Sequence, residues 1–201
     1  MILNHLMGLY TQPKKEWQNI EKNHESLQSS LSHVLLVALI PALCAYIGSA
    51  HIGWNPVASS EKLFLTTHSA ILMSIAMYFG LLVGVFALAY LAHWMAKTFD
   101  AKPTFTQAIE LASYTATPMF MVGLSALYPE LWFMMTVGLF GVAYSVYLLY
   151  TGVPIIMNIP EEKGFIYSSS LVTCGLCLLV ALMATSVILW SNGFGPELAG
   201  G

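Results

Sequence analysis

The sequence predicts an all-α polytopic membrane protein, with five transmembrane helices behind a short N-terminal amphipathic helix, and three observations carry that expectation. Of its 201 residues, 57% are hydrophobic and only 8% charged, against about 25% charged in soluble domains. The few charges divide the chain into uncharged runs at 26–60, 63–96, 111–129, 131–160 and 164–196. Each is long enough for a helix across ~30 Å of hydrocarbon, which takes ~20 residues. The lysines, finally, are spread unevenly among the connections between those runs, as in helices with a fixed orientation in a bilayer. This composition excludes a soluble enzyme, a secreted disulfide scaffold and a nucleic-acid binder. Seven basic residues against ten acids, a net charge of -3, leave no basic stripe to track phosphates.

Taken in order, the first residues, MILNHLMGLY, are apolar but short, lack a leading positive charge and run into Pro13 and Lys14, unlike a removable signal peptide. Trp17, Ile20, His24, Leu27 and Leu31 recur at three- and four-residue intervals, an apolar stripe on one helix from about 13 to 31. Pro13 suits its first turn, where a missing N–H costs nothing. Residues 1–32 thus read as a cytosolic or interfacial segment, 33–191 as the transmembrane domain and 192–201 as a short flexible tail. The spans fall at about 33–53, 68–95, 107–127, 131–151 and 167–190. Lys14, Lys15, Lys22, Lys97, Lys102 and Lys163 come to one side and Lys62 alone to the other. That puts the N-terminus in the cytoplasm and the C-terminus outside. Trp54, Tyr128, Trp132 and Trp190 then fall at the outer headgroup level, and Trp94, Tyr150 and Tyr167 at the inner one, where amphipathic rings prefer to lie.

Small residues recur every fourth position within spans, which lets backbones approach where lipid supplies no hydrophobic drive. Span two has Ala76, Gly80 and Gly84; span three Ala108, Ala112 and Ala116; span five Ser169, Thr173, Cys177, Ala181 and Thr185. They are expected to be packing seams inside one chain, with a contact between copies of a homo-oligomer as the alternative. No internal repeat and no paired broken helices of the inverted-repeat transporter kind are visible.

The candidate functional face is Glu110, Tyr114 and Pro118, which follow one another at single-turn intervals on span three. Thr104 and Gln107 have capping-box spacing, which starts that helix near 105 and leaves Glu110 close to the cytosolic interface. An intramembrane acid is a functional-site candidate, but one this shallow is expected to be solvated or paired with Lys97 or Lys102. Pro118 should kink the span unless a Ser or Thr hydroxyl answers the carbonyl it frees. The six histidines, at 5, 24, 33, 51, 68 and 93, divide between the two membrane levels without zinc-site spacing and are expected to face water. Cys174-Gly-Leu-Cys177 lies within span five and has no second pair, so it reads, like Cys44, as packing. Ser125 in Gly123-Leu-Ser125-Ala126 has no histidine after His93 to activate it. No metal or cofactor is implied.

Ser113-Tyr114-Thr115-Ala116-Thr117-Pro118 resembles the Gly-Tyr-x-x-x-Pro signature of the Yip family, the Ypt/Rab-interacting membrane proteins, with serine in place of the glycine. Other pieces are similar to its small bacterial inner-membrane members: Leu9-Tyr10-x-x-Pro13, His33-Val34-Leu35-Leu36 with Ile40-Pro41, Ile52-Gly53-Trp54-Asn55, Leu127-Tyr128-Pro129, and Glu161-Glu162-x-Gly164 before Ser168-Ser169-Ser170. The resemblance covers residues 9–191 and implies five spans with a cytoplasmic N-terminus. It also implies an association with Rab-type GTPases in the eukaryotic members, through an N-terminal Asp-Leu-x-Gly-Pro motif that this chain lacks. The functional expectation is a non-enzymatic protein of the inner (plasma) membrane that organises the lipid bilayer or recruits a protein partner at its cytosolic face. The alternative is a small transporter or channel for an ion or small solute, using polar positions of spans two, three and five.

Overall fold

The computed structural model describes residues 2–23, 27–55 and 61–199, and over these the chain is helical. Its helices are α1 (Ile2–Thr11), α2 (Pro13–Asn23), α3 (Leu27–Ile47), α4 (Thr67–Met95), α5 (Phe105–Val122), α6 (Leu131–Ile156) and α7 (Glu161–Leu189). One π turn extends α3 to Ile52 and another extends α7 to Phe194, while 3-10 turns carry α4 to Phe99 and α5 to Leu127.

Four stretches are long and apolar enough to cross a membrane: Leu27–Ile52, Thr67–Phe99, Leu131–Ile156 and Glu161–Phe194. α5 is of another kind. It has 18 residues, is more polar, and every position from 108 to 115 is buried, because α3, α4 and α6 all pack on it. A helix enclosed by others does not need the hydropathy of one that faces lipid. Its start is as the spacing predicts: the Thr104 N–H donates to Gln107 Oε1 at 2.8 Å and the Gln107 N–H to Thr104 Oγ1 at 3.3 Å, a complete capping box.

The expected single helix over 13–31 cannot be straight, since Trp17 and His33 both pack against the ring of Tyr114. α2 ends at Asn23 and α3 begins at Leu27; His24 lies outside the described residues. Trp17 and Ile20 are buried while Lys14, Lys15, Gln18, Asn19 and Lys22 are exposed, so the stripe is satisfied within two turns of α2. α1 folds back on α2, and a Cβ at Gly8 would come within 2.1 Å of the Glu16 carboxylate. The pair lies against α6, where the Tyr144 hydroxyl donates to the Leu9 carbonyl at 2.8 Å and the Tyr10 and Tyr144 rings stack 5.2 Å apart. Leu9, Trp17 and Ile20 join Leu111, Leu148 and Tyr167 in the main core. A segment expected at the membrane surface therefore supplies part of the interior of the bundle.

One end of the bundle gathers the α4–α5 and α6–α7 connections. There Lys163 Nζ donates to Asp100 Oδ2 at 2.5 Å, the Phe99 and Tyr167 rings stack 4.6 Å apart, and the Tyr167 hydroxyl donates to the Ala92 carbonyl. Lys97, Lys102 and Lys163 thus share one end, as the lysine distribution predicts. At the other end Trp54 pairs with Leu63 and Leu65 with Leu198 in antiparallel bridges. The tail does not run free over 197–199: the Glu197 N–H donates to Ser69 Oγ at 3.0 Å, and the Ala199 N–H to the Phe64 carbonyl at 2.8 Å.

Candidate functional site

Where α2, α3 and α5 meet, polar side chains occupy the interior. Glu110, Ser113, Tyr114 and Thr117 follow at i, i+3, i+4 and i+7 and so share one face of α5. Each of the four is 1% exposed. α3 presents Ser30 and His33, one turn apart and equally buried. His33 Nε2 lies 3.0 Å from Thr117 Oγ1, and its ring is tilted against that of Tyr114 at 4.7 Å. The Thr117 hydroxyl spends its proton on the Ser113 carbonyl at 3.0 Å. It therefore accepts from His33 Nε2–H, which assigns the tautomer and leaves the basic lone pair on Nδ1. Trp17 of α2 covers this cluster, set edge-on to Tyr114 with ring centroids 6.3 Å apart. Its seat exists because position 152 is glycine: a Cβ there would lie 2.6 Å from the indole.

Glu110 is therefore enclosed within the bundle and not exposed. Lys97 and Lys102, its expected partners, remain exposed. His33 likewise lies in the core and not in water, because it faces the polar side of α5. His93 is half-buried with its ring edge-on to Phe105 at 5.7 Å, while His51 and His68 are exposed as expected. The side chain of His5 lies outside the described set. Pro118 is buried at the far end of the same face, and α5 continues through it. The Thr117 hydroxyl bonds the carbonyl of residue 113, next to the carbonyl of residue 114 that the proline frees. The Glu110, Tyr114 and Pro118 face thus gains Ser30, His33, Ser113 and Thr117, which the sequence reading did not assemble. The available signal was the spacing Ser30, His33, Val37, Pro41, which sets His33 on the face of α3 that meets α5.

The small-residue stripes divide. Ala108 and Ala112 of α5 are buried and Ala116 partly so, a seam within the chain. On α4, Ala76 is exposed, and a Cβ added at Gly80 or Gly84 would meet nothing within 4 Å. On α7, Thr173, Cys177, Ala181 and Thr185 are exposed. These two stripes are not seams inside this chain, since α4 turns Leu82, Val85, Ala89 and Ala92 inward and α7 touches the bundle through Gly164, Tyr167, Ser168 and Leu171. Tight approaches occur elsewhere: a Cβ at Gly123 would lie 2.4 Å from Pro41, at Gly141 2.2 Å from Val122, and at Gly164 2.6 Å from Pro154. Ser125 is buried, and of the cysteines Cys44 is buried, Cys174 half-buried and Cys177 exposed. Among the described residues no group of three His, Cys, Asp or Glu side chains could hold a metal ion.

The sequence model of the Yip1 domain matches residues 7–182, a range that includes every member of the buried cluster. Inner membrane protein YohC of Escherichia coli strain K12 is 37% identical over 193 residues, 96% of this chain and 98% of that protein. YohC of E. coli O6:H1 strain CFT073 matches with the same identity and coverage. No solved structure matches the chain. With helices apolar enough to cross a bilayer and a match over nearly its whole length, the chain belongs to the Yip1-domain family of membrane proteins.

Proposed function

We propose that this protein is a non-enzymatic inner-membrane scaffold of five spans, with α5 the central one, whose cytosolic face recruits a protein partner or organises the surrounding bilayer. The observation that carries this reading is the seating of Trp17. With its indole fully buried against Gly152 and Tyr114, the amphipathic α2 is locked to the bundle and presents Lys14, Lys15 and Lys22 on a fixed surface. Lysine placement supports the orientation, N-terminus in the cytoplasm and C-terminus outside. The test is in-cell photocrosslinking from Lys97 and Lys102, with lipid-facing Phe140 as control. A discrete protein adduct from the lysine positions, lost in Trp17→Ala, is expected. Identical labelling at all three positions would sink the partner reading.

A second reading, a small transporter for an ion or solute, is favoured by the polar cluster itself, since ionisable groups within a membrane bundle mark pathways by default. A saturable flux in proteoliposomes, altered by Glu110→Gln at unchanged thermal stability, would replace the scaffold with it.

A further inference from the structure

Two hydroxyls of the buried cluster, Ser30 Oγ and Ser113 Oγ, have no hydrogen-bond partner among the described residues. Both residues are almost wholly buried, at 0% and 1% exposure, and buried polar groups are seldom left so. Their levels in the bundle follow from contacts on either side. α3 and α5 run parallel; His33 meets Thr117, and Pro41 meets Gly123. That register sets Ser30 level with Ser113, on facing sides of the α3–α5 contact. The two residues stand level across that contact, and neither hydroxyl bonds the other. A water molecule, which both donates and accepts, is the group whose chemistry fits two facing hydroxyls. Glu110 lies one turn from Ser113 on the same face of α5, and His33 one turn from Ser30 on the same face of α3.

We propose that Glu110, Ser30, Ser113 and His33 form an intramembrane proton-binding site, in which the proton passes between the Glu110 carboxyl and the His33 imidazole through water held by the two serines. The carboxylic O–H gives its proton to the water, and the water gives one of its own to His33 Nδ1. A carboxylate and an imidazolium result, and the reverse step restores both neutral groups; the site thus holds one shared proton, whose release to bulk water at higher pH leaves a carboxylate and a neutral imidazole. Thr117 prepares His33 for this by holding Nε2–H. Among the described residues, the titratable groups turned toward the site are Glu110 and Tyr114 from α5 and His33 from α3. α2 covers it with Trp17, α6 brings Leu148, Leu149 and Val153 to that core, α4 faces α5 with Leu82, Val85 and Ala89, and Lys97 and Lys102 stay exposed.

The site does not depend on partner recruitment: crosslinking from Lys102 reports on that reading, a carboxyl vibration on this one. The experiment is pH-stepped infrared difference spectroscopy of the full chain in phosphatidylethanolamine–phosphatidylglycerol vesicles. The native protein is expected to show a carboxylic C=O band that changes with pH and is absent from Glu110→Gln. The Ser30→Ala/Ser113→Ala pair is expected to move its midpoint by ~1 pH unit or more, and His33→Asn to remove the accompanying imidazole signal. Should Glu110→Gln not fold, Glu110→Asp keeps the carboxyl but retracts it, and the band must shift. A Glu110→Gln spectrum superimposable on the native one, a band unmoved in Glu110→Asp, or an unmoved midpoint without the serines would overturn the proposal.

Discussion

The end of the bundle that holds α2 and the opposite half of α6 and α7 are built from similar residues, yet the second is closely packed only where Gly141 meets Val122. Around Trp17, Tyr114 and Tyr167 the aromatic rings are enclosed, and glycines 152 and 164 are in contact so close that any side chain there would collide. Further along α6 and α7, Gly138 and Gly175 have nothing within 4 Å of an added Cβ, and the positions of α7 from 179 onward are exposed on every side. The difference teaches that a glycine in a membrane helix is a permission and not a contact. What turns permission into packing here is a large partner to fill the space: the indole of Trp17 or the rings of Pro41 and Pro154.

Removing the filler should have the largest effect. Trp17→Ala deletes a fully buried indole and is expected to cost ~3–5 kcal/mol, seen as a large drop in melting temperature of the detergent-purified protein; a drop no larger than that of Leu139→Ala, an exposed residue of the loose half, would erase the contrast. Next come the glycines. Gly152→Leu and Gly164→Leu should each lose ~1–3 kcal/mol through overpacking, whereas Gly84→Leu should stay within ~0.5 kcal/mol. If Gly84→Leu proves equally damaging, its stripe is a contact between copies, and the melting temperature should then depend on protein concentration.

Tyr167→Phe tests the packed end more gently. It keeps the stack on Phe99 and removes only the hydroxyl that donates to Ala92, an expected loss of ~1 kcal/mol.

The smallest effect belongs to the exposed pair at the same end. Hydrogen bonding to Lys163, together with its charge, holds the Asp100 carboxyl below the usual carboxylate range. Its folded value lies below the unfolded one, so the contact stabilises the fold above a pH of about 4 and its contribution disappears as the pH falls through the lowered value. Asp100→Asn suits the left-handed backbone at φ 59°. A small stability gap between native protein and variant at neutral pH, closing in acid, is expected; a gap that widens in acid would contradict the assignment.

Much of this fold is legible from charge alone, because in lipid every charged residue must be placed at an end or be enclosed. The capping box at Thr104 and the shared end of Lys97, Lys102 and Lys163 follow from short-range rules that a sequence carries whole. The enclosure of Glu110 and His33 does not. It depends on α2 folding back over α5, a contact between residues 17 and 114 that no local periodicity encodes, and so His33 reads as facing water and Glu110 as solvated or paired with Lys97 or Lys102. For the same reason spacing singled out Gly80 and Gly84 but not Gly152, whose meaning is set by a tryptophan 135 positions away. Tyr114 was found because Glu110 and Pro118, which share its face at single-turn spacing, lie on its own helix.

The central claim is that Trp17 seals a polar cluster inside the bundle, and a thiol at Ser113 tests it most directly. In a protein with Cys44, Cys174 and Cys177 replaced by alanine, Ser113→Cys differs from the native side chain by one atom. The account predicts that this thiol resists a water-soluble maleimide while the protein is folded and becomes reactive when Trp17→Ala is added. Rapid labelling with Trp17 in place would contradict it, since water would then already reach the cluster.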